Sequence, residues 1–173
     1  MIGGKHPWWS LHRPRDPAIF QSPKFIGLTT TKTIELVYDP DHNAFVTDAM
    51  YVMSLQDEYD PWAFMAILQS KTFLFLYRVS NQGESRVIPQ IKASKLQPLP
   101  CPLAKTSDLI TRQLSKLCQR MFALNYELRT CQHPYDKTQL GRRIQAADRE
   151  IDKIVYQRYG LTKQEIDLIE GRP

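Results

Sequence analysis

Apolar residues recur along this chain with two different periods, and the change of period divides it. Up to about Pro102, β-branched and aromatic residues come in short runs separated by proline, asparagine and aspartate, the pattern of strands joined by turns. Residues 24–28, 33–38, 44–47 and 51–55 are the predicted strands. The turn-forming string Tyr38-Asp39-Pro40-Asp41-His42-Asn43 predicts a hairpin between the second and the third. Asp60 before Pro61 has the form of an N-cap with proline at the first helical position, and Ala63, Phe64, Ile67 and Leu68 then recur on one helical face. One helix over 61–76 is predicted from this.

Leu96, Pro98, Leu99, Pro100 and Pro102 form a stiff seam, because proline lacks the amide donor that a helix or central strand requires. Beyond it the period lengthens. Ile110, Leu114, Leu117, Met121, Leu124, Leu128 and Cys131 alternate spacings of four and three, which lays one apolar stripe along a helix. Leu140, Ile144, Ala147, Ile151 and Ile154 repeat the spacing after a break at 132–135 that contains Pro134, and Asp136 with Gln139 resembles a capping box. Two such helices on so short a link run antiparallel and hide their stripes against each other, as a coiled-coil hairpin. Gly160 supplies a stop, and Thr162 with Glu165 forms a further capping box that restarts a short helix through Ile166 and Ile169. The predicted fold class is therefore α+β: a mixed β-sheet with a packed helix over 1–104, then an antiparallel coiled-coil hairpin and short C-terminal helix over 105–173.

With 42% hydrophobic and 24% charged residues among 173, the composition is that of a globular protein and excludes disorder and collagen-like repeats. No apolar run approaches the roughly 20 residues of a spanning helix, and no secretory pattern opens the chain, so a soluble cytoplasmic protein without membrane contact is expected. Cys101, Cys118 and Cys131 lack the close spacing of a zinc site or redox pair and are expected to be reduced packing residues. The formal charge of +5 permits a polyanionic partner, since clustered cations displace counterions from phosphates. Up to Ala104 the chain has 10 Lys and Arg against 9 Asp and Glu, and beyond it 13 against 9, so charge alone does not locate a DNA-binding face.

Catalytic patterns are absent from the string of residues. There is no Asn/Asp-Pro-Pro-Tyr/Phe motif of an amino-methylase, no glycine-containing cofactor loop, and no Gly-x-x-x-x-Gly-Lys phosphate loop. Glu35, Asp39, Asp41 and Asp48 with Lys32 have the residue types of a metal-dependent nuclease but sit where turn and hairpin-rim aspartates belong. His6, His12, His42 and His133 are dispersed and pair with no nucleophile. No catalytic residue and no metal site is assigned.

Four stretches together resemble the TaqI-like C-terminal specificity domain, the target-recognition module of N6-adenine DNA methyltransferases and of fused restriction-modification enzymes. The first is Trp9-Ser10-Leu11-His12-Arg13-Pro14-Arg15-Asp16 with Ile19-Phe20 and Pro23-Lys24-Phe25-Ile26. The second is Ala63-Phe64-Met65-Ala66-Ile67-Leu68-Gln69-Ser70-Lys71, with Gln69 where the family usually has asparagine, followed by Leu76-Tyr77-Arg78. The third is Ile91-Lys92-Ala93-Ser94-Lys95-Leu96-Gln97-Pro98-Leu99-Pro100, similar to a segment ending Leu-Pro-Ile-Pro. The fourth, Glu150-Ile151-Asp152-Lys153-Ile154-Val155-Tyr156-Gln157-Arg158-Tyr159-Gly160-Leu161-Thr162, is similar to an Ile-Asp-x-x-Val-Tyr-x-x-Tyr-Gly-Leu-Thr ending.

The resemblance implies a double-stranded DNA reader that supplies specificity to a covalently linked or associated methyltransferase domain, which binds S-adenosylmethionine outside this chain. It implies no cofactor here and no enzymatic activity for this chain alone, with 1–104 as the target-recognition domain. Phosphate positioning calls for Lys and Arg, and base reading for Arg, Asn, Gln, Ser and Thr at loops or strand edges. The candidates are Arg13, Arg15, Lys24, Thr29, Thr30, Thr31, Lys32, Lys71, Arg78, Asn81, Gln82, Ser85, Arg86 and Lys92. Ordinary roles compete with each: threonines favour strands, Asn81-Gln82-Gly83 suits a solvated turn, and Trp8, Trp9 and Trp62 suit packing better than base stacking. A different class of function makes the hairpin a spacer or docking module for subunit assembly, with Arg112, Arg142, Arg143 and Arg149 facing outward.

Overall fold

The computed structural model describes residues 16–81 and 90–172 and is α+β. β1 (Lys24–Leu28) spans the predicted residues and lies at the centre of a sheet in the order β2-β1-β3, between β2 (Leu36–Asp39) and β3 (Met50–Met53). Both ladders are antiparallel: Phe25 stands opposite Tyr38 and Met53, and Gly27 opposite Leu36 and Tyr51. The sheet is thus antiparallel where a mixed one was expected. The predicted hairpin across 39–43 does not form either, since 44–47 is not a strand. Asp39 explains this. Its Oδ2 pairs with Lys24 Nζ at 2.6 Å and accepts from Ala44 N at 3.0 Å, while Oδ1 accepts from Asn43 N at 3.3 Å. That carboxylate curls the chain through His42 at φ 55 and carries it away from β2, to return on the far side of β1 as β3. At Gly27 a β-carbon would overlap the Tyr51 ring, so only glycine fits beneath it.

A 3-10 turn (Pro17–Phe20) precedes the sheet and α1 (Pro61–Leu68) follows it. The start of α1 is as predicted, with Asp60 Oδ1 accepting from Ala63 N at 2.9 Å and Pro61 in the first turn. Its end is not. The helix expected to run to residue 76 stops at Leu68, and Ser70 caps a new helix, α2 (Lys71–Ser80), by accepting from Phe73 N at 3.3 Å. Gln69 holds the bend: its Nε2 donates to Leu36 O at 3.0 Å and ties the joint to β2. A single turn, α3 (Ala93–Leu96), leads into the proline-rich strap.

α4 (Leu109–Thr130) and α5 (Pro134–Tyr159) pack along each other on a link of three residues and therefore run antiparallel; α6 (Lys163–Ile169) follows. Asp108 caps α4 by accepting from Thr111 N at 2.9 Å. α5 begins at Pro134 after His133, which makes no side-chain cap bond, so Asp136 lies inside the first turn instead of forming the predicted capping box. Proline's fixed φ starts the helix before that box is reached. Gly160 ends α5 at φ 66, and the capping box of Thr162 with Glu165 is present as predicted.

One buried cluster unites Phe25, Leu36 and Tyr51 of the sheet, Ala63–Leu68 of α1, Phe73 and Tyr77 of α2, Leu114, Leu117 and Cys118 of α4, and Ile151, Ile154 and Val155 of α5. It crosses the proline seam, and α1 packs mainly on α4. Leu124, Leu140 and Ala147 are buried outside that cluster, between the two long helices. Trp62 packs edge-on against Tyr38 and Phe122, as a packing residue does. Among the described residues no helix is long and apolar enough to cross a membrane.

The string 150–162 acts as a clasp on this frame. Asp152 Oδ1 accepts from Lys71 N at 3.0 Å, completing the N-terminus of α2, and Ile151 and Val155 enter the core. Tyr156 Oη donates to Glu170 Oε1 at 2.6 Å. Tyr159 Oη donates to Pro100 O at 2.7 Å and Arg158 Nε to Pro102 O at 3.0 Å. Prolines offer only carbonyls, so the strap supplies acceptors and α5 supplies the donors.

Candidate nucleic-acid interface

The loop between β1 and β2 is built by short-range polar chemistry. Thr31, Thr33 and Glu35 are brought together where the chain bends at Lys32 and Thr33. Thr31 Oγ1 and Thr33 Oγ1 both donate to Glu35 Oε1 at 2.9 Å, and Thr33 N donates to Thr31 Oγ1 at 3.3 Å. Three non-local bonds fix where the loop stands. Arg78 Nη2, on the last turn of α2, donates to Lys32 O at 3.1 Å; Ile91 N donates to Thr29 O at 2.8 Å; Thr29 N donates to Ala49 O at 3.0 Å. The end of β1, the end of α2 and the segment before α3 thereby meet on one rim. Beside it runs an open groove of about 390 Å³ lined by Thr29, Asp48, Met50, Lys92 and Ser94.

On that rim Thr30, Lys32 and Arg78 are exposed, and Thr29, Thr31 and Lys92 are half-buried. Six of the sequence-predicted residues are thus brought together. Asn81 lies at the same end of α2 but its Nδ2 donates to Tyr77 O at 2.7 Å, closing its own helix. Arg13, Arg15, Gln82, Ser85 and Arg86, together with Trp8 and Trp9, lie outside the described residues.

Two predicted residues stand elsewhere. Lys24 is fully buried, its ammonium held by Asp39 and by Phe20 O at 3.3 Å, so it offers no charge to a phosphate. The hydrogen bond from Lys24 holds the Asp39 carboxyl below its ordinary range. Lys71 occupies the opposite end of α2 from Arg78, with Nζ 3.0 Å from Glu170 Oε1 and 3.4 Å from Asp152 Oδ2. Burial pulls its ammonium down, but the Glu170 hydrogen bond and the Asp152 charge outweigh that and raise it. Glu170 is lowered by the Tyr156 hydroxyl and then by Lys71, whereas burial raises Asp152. Asp152 Oδ2 is buried and accepts no hydrogen bond among the described residues, facing the Lys71 ammonium at 3.4 Å as an ion pair.

Composition of the loops missed Glu35, which organises the threonines, and Asp48, which lines the groove. The Thr-x-Thr-x-Glu spacing at 31–35 is the signal for the first. For Asp48 the signal is only tertiary. Cys118 is buried and Cys101 half-buried, and burial pushes their thiols up to about 12 and about 11, so neither is a nucleophile at neutral pH.

A family model described as the TaqI-like C-terminal specificity domain matches residues 6–101. The match ends at the proline strap, and α4, α5 and α6 lie beyond it. No curated protein matches the chain.

Proposed function

The chain belongs to the TaqI-like C-terminal specificity domain family, and from that premise we propose that it is the sequence-specific duplex-DNA recognition module of a site-specific adenine-N6 DNA methyltransferase or fused restriction-modification enzyme. The methyltransferase domain that binds S-adenosylmethionine lies outside this chain. One observation carries the assignment to a surface: Thr29–Lys32, Arg78 and Lys92, from three separate segments, converge on a single rim. Hydroxyl donors and acceptors beside cations are the groups that read base edges and seat phosphates. The fully held Lys24 and Lys71 belong to the frame and leave the candidate set. Selection of duplexes from a random pool by the 173-residue chain tests the reading. Enrichment of a defined sequence is expected, and its loss in a Lys32→Gln, Arg78→Gln double variant of unchanged melting temperature assigns it to the rim. Recovery of an unenriched pool contradicts the reading.

A second role, spacing or docking for subunit assembly, is favoured by the outer halves of α4 and α5, which extend past the core cluster. Retention of a native methyltransferase partner by the intact chain, and its loss when the hairpin is shortened beyond Leu124 and Ile144, tests this.

A further inference from the structure

The excess positive charge of the chain resides in the hairpin. Over 109–159 Lys and Arg number 10 against 5 Asp and Glu, an excess equal to the whole chain's +5. Asp152 answers Lys71, and Arg158 answers Asp108 at 3.5 Å. The remaining cations are distributed unevenly around the helices. At 3.6 residues per turn, Arg112, Lys116 and Arg120 form a strip about 80° wide on α4, and Arg142, Arg149 and Lys153 one about 40° wide on α5. All six are exposed and none has an ion-pair partner among the described residues.

Burial fixes the direction of these strips. Thr111, Ser115 and Cys118 are the buried flank of α4 toward α1, and Asp152, Val155 and Tyr156 that of α5 toward α2 and α6. The α4 strip falls on the flank turned away from α1, and the α5 strip on the surface turned away from α4. Glu127 falls in line with the α4 strip about two turns beyond Arg120, and Glu150 lies about 80° round α5 from Arg142, so each strip keeps a net positive charge. In Arg112, Lys116 and Arg120 successive cations are about 6 Å apart along the axis, so the strip is a row of charges rather than a point. Like charges left so close stabilise neither helix, and they become favourable when phosphates replace their counterions.

We propose that these two cationic strips of the α4–α5 hairpin bind the sugar-phosphate backbone of duplex DNA outside the recognised bases, as a sequence-independent clamp beyond the family-matched region. The inference rests on the DNA-reading function proposed above for its ligand, and on the hairpin's own charge for its place. The two parts then have separate roles on one duplex, the rim discriminating between sequences and the hairpin adding affinity without discrimination.

The test is fluorescence anisotropy of the 173-residue chain with a duplex of random sequence between about 50 and about 200 mM salt, where each phosphate contact contributes about 0.9 to the log-log slope. Two variants, Arg112→Gln with Lys116→Gln and Arg120→Gln, and Arg142→Gln with Arg149→Gln and Lys153→Gln, alter exposed side chains only; unchanged helical circular dichroism and melting show that they fold. Each is expected to reduce the slope by about 2 and to weaken binding to all duplexes by the same factor, about tenfold at the lowest salt. An unchanged slope in both variants, or no binding of any duplex by the wild type at about 50 mM salt, overturns the clamp. Salt-sensitive binding through the hairpin without sequence enrichment upholds the clamp and removes the rim's reading function. Enrichment with unaltered slopes does the reverse.

Discussion

The two ends of α2 carry the same kind of residue and put it to opposite use. Lys71 and Arg78 are seven residues apart, about 10 Å along the axis. At the first end the half-exposed Lys71 is ion-paired with Asp152 and Glu170 and, through Glu170, linked to Tyr156, and it ties α2 to α5 and α6. At the other end Arg78 gives a single bond to a loop carbonyl and leaves the rest of its guanidinium in solvent. A cation whose charge is matched within the fold contributes to the frame; one held by a single carbonyl retains its charge for a ligand. The comparison separates the residues that keep this module rigid from those left exposed on the rim proposed to read DNA.

The sharpest way to break it is to attack the frame end in its apolar layer. Phe73, 2% exposed in the first turn of α2, belongs to the cluster shared by the sheet, α4 and α5. Phe73→Ala is expected to lower unfolding stability by about 4 kcal/mol in denaturant titration, with sheet and hairpin lost in one transition. Two resolved transitions show that the hairpin is not fastened through that end. Asp152→Ala comes next: it leaves the α2 amide without its acceptor and the Lys71 ammonium with Glu170 alone, and a loss of about 2 kcal/mol is expected. A loss under about 0.5 kcal/mol removes Asp152 from the frame.

Acid provides a gentler probe. Glu170 and Asp39 have carboxyls lowered by partners, so their stabilisation is present at neutral pH and declines as pH falls below their ordinary values of 4.5 and 3.8. Asp152 has the opposite sign, because burial raises it and protonation relieves that burial. The melting temperature is therefore expected to fall with acidification, and Glu170→Gln, whose amide cannot titrate, to flatten that dependence. Identical pH profiles for variant and wild type place no titrating pair at the frame end.

Much of the frame was legible in the sequence because its signals are local. β1, the Asp60-Pro61 start of α1, the Gly160 stop and the Thr162–Glu165 box each depend on residues within a few positions of one another. Apart from the capping box that Pro134 pre-empts, the failures are non-local. The hairpin at 39–43 was lost because Asp39 bonds to Lys24 on the neighbouring strand, a partner that no turn statistic contains. The break at Gln69–Ser70 depends on Gln69 reaching Leu36, and Ser70 alone reads as an ordinary helical residue. The site follows the same division. Thr29–Lys32 and Arg78 were identifiable as polar loop and helix-end residues, but their meeting depends on the Arg78–Lys32 and Ile91–Thr29 bonds. Lys24 and Lys71 are held by Asp39 and by Asp152 with Glu170, partners distant in sequence that a lysine's own neighbours do not reveal. The fourth family-like string, whose weight lay in its specificity, turned out to fasten helices rather than to face a ligand.

The most direct test sets Lys71→Gln beside Arg78→Gln, with DNA affinity measured on an enriched duplex and stability by thermal melting. Arg78→Gln is expected to weaken binding about fivefold, the order of one lost base-edge or phosphate contact, with the melting temperature unchanged. Lys71→Gln is expected to lower the melting temperature and leave the affinity of the folded protein intact. Affinity lost on changing Lys71 and retained on changing Arg78 would contradict the division between frame and rim.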